Sequence, residues 1–289
     1  MQNLLEYILF LSFSSIFRIF GVNFSRKFSS VLAVVFYYVV PIRKSTVIDN
    51  LKHAFPGWDE KKIREIAYGS YKSFAVTLIE ILCLPSMNED KLRRVVSCPN
   101  INLVKEKYNE QKGLILLSAH FGNWEYLAIS IGLQVGTPLS VIVKSQRNPY
   151  VTNWLNKFRT KWNNEVVPLG ISIRKTYQTL KEHKIVAMVA DQRGSQDGVK
   201  VNFFDREISV QVGPAVLTLK TGAPILIAIP VRQSNGLYST EFAEISKENL
   251  TGTQEEKIKE LSQRYISYLE KYIRKNPEQW LWMHKRWKH

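Results

Sequence analysis

The sequence predicts an α/β fold: a mixed, mostly parallel sheet flanked by helices, with an apolar helical anchor in front of it. Three observations lead there. Between residues 100 and 250, four short apolar runs (114–119, 139–144, 185–190 and 225–231) have the length and composition of buried strands. Stretches of helical spacing separate them, and such alternation builds a sheet with helical cover. Ahead of them, the first 45 residues carry two apolar stretches flanked by basic residues.

The chain has 289 residues, 45% of them hydrophobic, enough for one large domain with appendages or two small ones. The sequence divides into an N-terminal pair of membrane-interface helices (1–45) and a single domain (46–289). Within that domain, 46–99 reads as helical, 100–250 as the α/β core, and 251–289 as a helix with a basic, tryptophan-rich tail. The formal net charge of +15 favours anionic partners: nucleic acid, acidic phospholipid headgroups or an acidic protein. Cys83 and Cys98 make no disulfide framework and read as buried thiols. No Cys/His cluster has the spacing of a zinc site, so no metal is expected.

The elements follow in order. The apolar runs between Glu6 and Arg18 and between Lys27 and Arg43 each fall short of the roughly 20 residues that a membrane-spanning helix needs. The first charge is Glu6, with no Lys or Arg before the apolar stretch, which fits a secretory signal poorly. Two readings remain for these helices: lying in a membrane interface beside Arg18, Arg26, Lys27, Arg43 and Lys44, or packing into the protein's own core. Asp59 can cap a helix on which Ile63, Ile66, Ala67, Phe74 and Leu78 share a face. Pro99 and Asn100 mark a break. Asn148 followed by Pro149 opens another helix, 212–221 forms one ending at Gly222, and Thr253 with Glu256 makes a capping box for a helix towards Lys275.

Candidate chemistry gathers at strand tips. The stretch L-S-A-H-F-G-N-W-E-Y (117–126) places His120 at a strand end and Glu125 at a helix start, with Gly122 allowing a sharp turn between. A histidine whose second nitrogen is held by a carboxylate can act as a general base, and a helix start offers free N–H groups to an oxyanion or phosphate. The plainer reading of His120 is a satisfied structural histidine. Lys144 and Arg147 follow the second strand; Asp191, Gln192 and Arg193 follow the third. Ligands of open α/β sheets bind beyond such strand ends, although loops are also polar simply because they are wet. The tail holds Trp280, Trp282 and Trp287 among basic residues. They suit a membrane interface, single-stranded nucleic acid, or packing on the core. There is no Gly-rich phosphate loop and no G-x-S-x-G elbow, which argues against dinucleotide enzymes, P-loop NTPases and α/β-hydrolases.

Taken together and in order, six motifs carry a resemblance. They are S-A-H-F-G-N-W-E (118–125), K-x-x-R-N-P (144–149), A-D-Q-R-G (190–194), V-N-F-F-D-R-E (201–207), G-P-A-V-L-T-L-K-T-G-A-P-I (213–225) and P-E-Q-W-L-W-M-H-K-R-W-K (277–288). The chain resembles the bacterial lauroyl/myristoyl acyltransferases of lipid A biosynthesis, a branch of the lysophospholipid acyltransferase superfamily. The resemblance covers nearly the whole chain. It implies a glycerolipid acyltransferase-like fold, no cofactor, and a place on the cytoplasmic face of a bacterial inner membrane. It also implies transfer of an acyl chain from a thioester, on acyl carrier protein or coenzyme A, to a hydroxyl of a lipid acceptor. His120 would be the general base and Glu125 its orienting partner. Lys144 and Arg147 would bind acceptor phosphate or donor phosphopantetheine, with Arg159 a second candidate. Asp191 and Gln192 would form the rim or support of the site, and with Arg193 they count among its candidate substrate-binding residues. The same motifs serve glycerophospholipid and glycolipid acyltransferases that use acyl-CoA. A basic membrane-binding protein without catalysis is a further reading. No recognisable module supports nucleic-acid binding.

Overall fold

A computed structural model describes residues 1–170 and 172–287. The apolar N-terminus forms α1 (Gln2–Phe20), α2 (Val22–Ser25) and α3 (Ser29–Val34), with a 3-10 turn at Arg26–Phe28 and a π-helical turn at Val35–Val39. Three helices follow: α4 (Lys44–Ala54), α5 (Glu60–Leu82) and α6 (Glu89–Val95). A short strand β1 (Val96–Ser97) and helix α7 (Asn102–Asn109) lead to the sheet. Strand and helix then alternate through β2 (Leu114–Ser118), α8 (Trp124–Val135), β3 (Leu139–Val143), α9 (Pro149–Arg159), β4 (Glu165–Pro168), α10 (Ser172–Lys181) and β5 (Ile185–Val189). A hairpin of β6 (Lys200–Phe203) and β7 (Arg206–Ser209) precedes α11 (Gly213–Thr221) and β8 (Ile225–Ala228). Strands β9 (Val231–Arg232), β10 (Tyr238–Ser239) and β11 (Phe242–Ile245) come before the long α12 (Gln254–Lys275).

The main sheet runs β11-β8-β2-β5-β3-β4. Its pairings are parallel except at the edge, where β11 lies antiparallel to β8. The other sheets differ: β10 pairs parallel with β1 and antiparallel with β9, and β6–β7 is antiparallel. Pairing across the protein is therefore mixed, and the parallel bias expected for the whole holds only in the main sheet. The physical reason is connection type. Helical crossovers return strands parallel, whereas the short links between β6 and β7 and between β9 and β10 return them antiparallel.

Alternation along each strand fills both faces. Ile115 and Leu117 of β2 point into a core shared with α4, α5, α11 and α12; Leu114 and Leu116 point into a second core under α8 and α9. The local signals act as their chemistry requires. Asp59 accepts from Lys62 N at 2.7 Å, Asn148 accepts from Tyr150 N at 3.0 Å ahead of Pro149, and Thr253 with Glu256 closes a capping box. Both cysteines are free and buried.

Helix α1 is longer than the apolar run between its charges, because it continues through both Glu6 and Arg18. It is long and apolar enough to cross a membrane, and only 11% of its apolar window is buried. One side packs on the domain: Phe10 meets Trp154 edge-on at 4.9 Å, Tyr7 stacks on Tyr150, and Ser14 Oγ donates to the Leu82 carbonyl. The other side leaves Leu5, Ile8, Leu9, Phe13, Ile16 and Ile19 in the open. The second apolar stretch behaves likewise, burying Ala33 and Tyr37 and exposing Val31, Val34, Tyr38 and Val39. Core packing thus accounts for one side of this segment only.

Candidate active site

Strands β2, β5 and β3 are parallel neighbours, so their C-terminal ends share one edge of the sheet. Ser118 lies opposite Val189 in register. Two residues beyond each lie His120 and Asp191, and these two meet. The His120 Nδ1–Asp191 Oδ1 distance is 2.8 Å, and the His120 backbone N–H donates to Asp191 Oδ2 at 2.9 Å. The Trp280 indole N–H donates to the same Oδ2, also at 2.9 Å. A carboxylate on Nδ1 assigns the ring proton there, by network logic, and leaves Nε2 as the proton acceptor.

The turn after His120 is built for close approach. Gly122 has φ +50°, and a Cβ there would stand 2.1 Å from the Pro230 carbonyl oxygen. Its own carbonyl accepts from Thr77 Oγ1 at 2.7 Å. Asn123 then caps α8 by accepting from Tyr126 N, and donates Nδ2 to Glu80 Oε2 at 2.8 Å. Glu80 has no solvent exposure. Arg26 Nη2 at 2.7 Å and the Tyr238 hydroxyl at 2.6 Å complete its partners. A buried charge needs such a set, and through it the N-terminal segment is fastened to the turn behind His120.

Burial works against a charged imidazole, but the charge and hydrogen bond of Asp191, helped by the field of Glu125, outweigh it and raise the His120 pKa. For Asp191, burial works against the anion. The His120 charge, its two hydrogen bonds and the Trp280 N–H prevail and hold the carboxyl at about 2. Asp191 is 4% exposed and the His120 side chain 18%, so only the imidazole of the pair faces outward. It opens on a narrow cleft lined by Ser73, Phe74, Thr77, Trp124, Gln279 and Met283.

The expected residues divide. The carboxylate on Nδ1 is Asp191, not Glu125. Glu125 lies in the first turn of α8 and is taken bidentately by Arg159 Nε and Nη2, at 2.9 and 2.6 Å. Both side chains are under 10% exposed. Arg159 also donates Nη1 to Asn156, so it is a buried partner of Glu125 and not an open phosphate clamp. Lys144 stands exposed beyond β3. Arg147 is exposed and ion-paired with Glu6 of α1 at 3.0 Å, while Asn148 Nδ2 donates to the Asn3 carbonyl. The K-x-x-R-N-P loop is therefore tied to the N-terminal helix. Gln192 and Arg193 are half-buried; the Arg193 backbone N–H donates to His284 Nε2 at 3.1 Å.

The C-terminal tail is the part of the site that strand-tip reasoning missed. Gly122 N donates to the Gln279 carbonyl and Leu281 N to the His120 carbonyl, both at 3.0 Å, and Phe121 bridges Trp280. Trp280 and Trp282 are buried, which favours the packing reading for these two rings. The available signal was the clustering of large rings within one motif, residues 277–288. Trp280→Phe removes one donor from a buried carboxylate and is expected to cost about 1.5–3 kcal/mol, read as a lower denaturant midpoint. An unchanged midpoint would show that this N–H does not support Asp191.

A histidine–carboxylate pair at adjacent parallel strand tips and an N-terminal helix with a wide exposed apolar side together define the class of this α/β protein. Residues 2–289 match the family described as bacterial lipid A biosynthesis acyltransferase, and the chain belongs to that family. Over 248 residues it is 21% identical to the lipid A biosynthesis lauroyltransferase of Escherichia coli, covering 85% of this chain and 79% of that one. It is 23% identical to the palmitoleoyltransferase of the same organism over 250 residues, with the same coverage. It is also 26% identical over 163 residues to a phosphatidylinositol mannoside acyltransferase of Mycobacterium tuberculosis. That match spans 54% of this chain and only 51%, about half, of the mycobacterial protein.

Proposed function

We propose that the protein is a membrane-associated O-acyltransferase that moves a fatty acyl chain from a thioester to a hydroxyl of a lipid A precursor. The observation that carries this reading is the His120–Asp191 pair, with Nε2 left to accept a proton. The acceptor hydroxyl gives its proton to Nε2 as its oxygen attacks the thioester carbonyl. Asp191 stabilises the imidazolium that forms. The first-turn N–H groups of α8 are candidates to steady the tetrahedral oxyanion. Collapse of the intermediate breaks the C–S bond, and the imidazolium returns the proton to the leaving thiolate. No acyl-enzyme is required.

The donor is acyl carrier protein or coenzyme A carrying the acyl chain. A surface of net charge +15 favours both an acidic carrier and a phosphorylated acceptor. Residues 1–45 serve as the membrane-interface segment and 46–289 as the acyltransferase domain, on the cytoplasmic face of the inner membrane. Lys144 and Arg147 attract phosphate from the exposed loop beside α1. Glu125 and Arg159 hold α8 against α9, and Glu125 adds its field to His120. The mycobacterial relatives favour a second acceptor class, a phosphorylated glycolipid, with the same chemistry.

Mass spectrometry of the lipids of a deletion strain separates the acceptors. Loss of one acyl chain from lipid A is expected; loss from another lipid class moves the acceptor assignment to that class. Replacing exposed Leu5, Leu9 and Ile16 together with glutamine is expected to weaken vesicle binding by about 10-fold or more, since each buries apolar area on adsorption. Unchanged binding would remove α1 as the membrane contact. These substitutions leave the Arg26–Glu80 pair intact, which deletion of the whole segment would not.

A further inference from the structure

Three cations from separate parts of the chain converge on one short span, away from the His120 cleft. Arg18, in the last turn of α1, donates Nε to Ser86 Oγ at 3.4 Å. Lys91, on α6, donates Nζ to the Ser86 carbonyl at 3.1 Å. Lys161, just beyond α9, donates Nζ to the Met87 carbonyl at 3.2 Å. All three residues and Ser86 are exposed.

Several surface cations pair with acids, such as Lys62 with Glu65, Lys107 with Glu110 and Glu244, Arg264 with Glu260 and Arg274 with Glu270. Among the described residues, none of the three at Ser86–Met87 has a carboxylate partner. A chain with this excess of positive charge must leave cations unpaired somewhere. What distinguishes these is that three of them gather against neutral oxygens. Like charges repel, so the cluster is costly unless an anion completes it.

Its position indicates the anion. Arg18 is followed by Ile19 and Phe20, which are 81% and 53% exposed. Beside them Phe13, Phe17, Phe20, Phe28, Val31 and Leu32 line an apolar groove with no polar lining. Arg18 stands in the chain between the groove-lining Phe17 and Phe20 and links the cation cluster to that groove. A cation cluster joined to an apolar groove matches a lipid whose phosphate and acyl chain meet at the water–hydrocarbon boundary.

We propose that Arg18, Lys91 and Lys161 form a binding site for the phosphate headgroup of a membrane lipid, whose acyl chain lies in the groove between α1 and α3. The site is separate from the acceptor hydroxyl's place at His120. It rests on the reading of the N-terminal apolar face as membrane-facing, but not on the acyl-transfer chemistry.

The test uses the full-length protein and vesicles of phosphatidylcholine, with and without phosphatidic acid. Arg18→Gln/Lys91→Gln/Lys161→Gln is compared with Lys259→Gln/Lys271→Gln/Lys275→Gln on α12, an equal change of charge elsewhere. The first variant is expected to lose about 100-fold in affinity for phosphatidic acid vesicles at low salt and nothing on neutral vesicles. The second is expected to lose far less. Millimolar inorganic phosphate is expected not to displace the parent protein, because it lacks the chain. If the triple variant fails to fold, Arg18→Gln alone is expected to show about a 5-fold loss. Equal losses in both variants would overturn the site, as would no loss in the first or displacement by inorganic phosphate. So would a first variant that loses an acidic carrier protein and keeps its vesicles. If the parent protein fails to bind neutral vesicles, the membrane-facing reading fails instead, and is recognised as such.

Discussion

His120→Ala is expected to lower kcat/KM for acyl transfer by about 10²–10⁴-fold, the usual contribution of a general base, while the protein stays folded and membrane-bound. The fold should survive because Asp191 keeps two of its donors, the His120 backbone N–H and the Trp280 indole. Thiol release from an acyl thioester in the presence of lipid acceptor reads the rate; circular dichroism and vesicle flotation read folding and attachment. A folded variant that transfers at the parent rate would remove His120 from the reaction. The pair also contributes to stability, with opposite signs at its two members. The His120 pKa is raised, so its contribution is present below the unfolded value near 6.5 and lost as pH rises through the folded one. The Asp191 pKa is depressed to about 2, so its contribution is present above the unfolded value and lost as pH falls towards 2.

Glu125→Ala is expected to destabilise the protein by about 3–5 kcal/mol, because it leaves the Arg159 guanidinium buried without its counter-charge. The desolvation cost of the pair is already met in the folded state by two charge-assisted hydrogen bonds, at 2.9 and 2.6 Å. Removing both charges together removes the penalty with the attraction. Glu125→Leu/Arg159→Leu is therefore expected to recover much of the lost stability. Urea midpoints of the single and double variants measure this. A single variant with the parent midpoint would show that the pair does not hold α8 to α9. The weaker Glu125→Gln change is expected to move the acid limb of the rate profile down, since the Glu125 field contributes to raising the His120 pKa.

The strands were legible because parallel sheets bury both faces, so β2, β3, β5 and β8 appear as continuous apolar runs. Their neighbours were not. The carboxylate that meets His120 is 71 residues away, and it arrives there because β5 pairs in register beside β2. A sequence shows which residues end a strand, not which strand lies next to it. Glu125 was the nearest acid along the chain, but the first turn of α8 directs it to α9 instead. Glu80 left a trace that could have been read: one acid within the apolar run Leu78–Ile79–Glu80–Ile81–Leu82. An acid in that setting must have buried partners, although Arg26, Asn123 and Tyr238 could not have been named without the fold. The N-terminal helix was underestimated because length was counted between charges, whereas a helix whose side faces solvent tolerates Glu6 and Arg18 within it.

The pH dependence of kcat/KM, measured for the parent and for Asp191→Asn, tests most directly whether an Asp191-steadied imidazole takes the proton. The parent is expected to gain activity as pH rises through a limb above 6.5, because the base must be neutral and its pKa is raised. In Asp191→Asn the limb is expected at lower pH with a reduced plateau, since the imidazolium loses its counter-charge. A parent profile without an acid limb above pH 6.5, or a limb that Asp191→Asn leaves in place, would contradict the assignment.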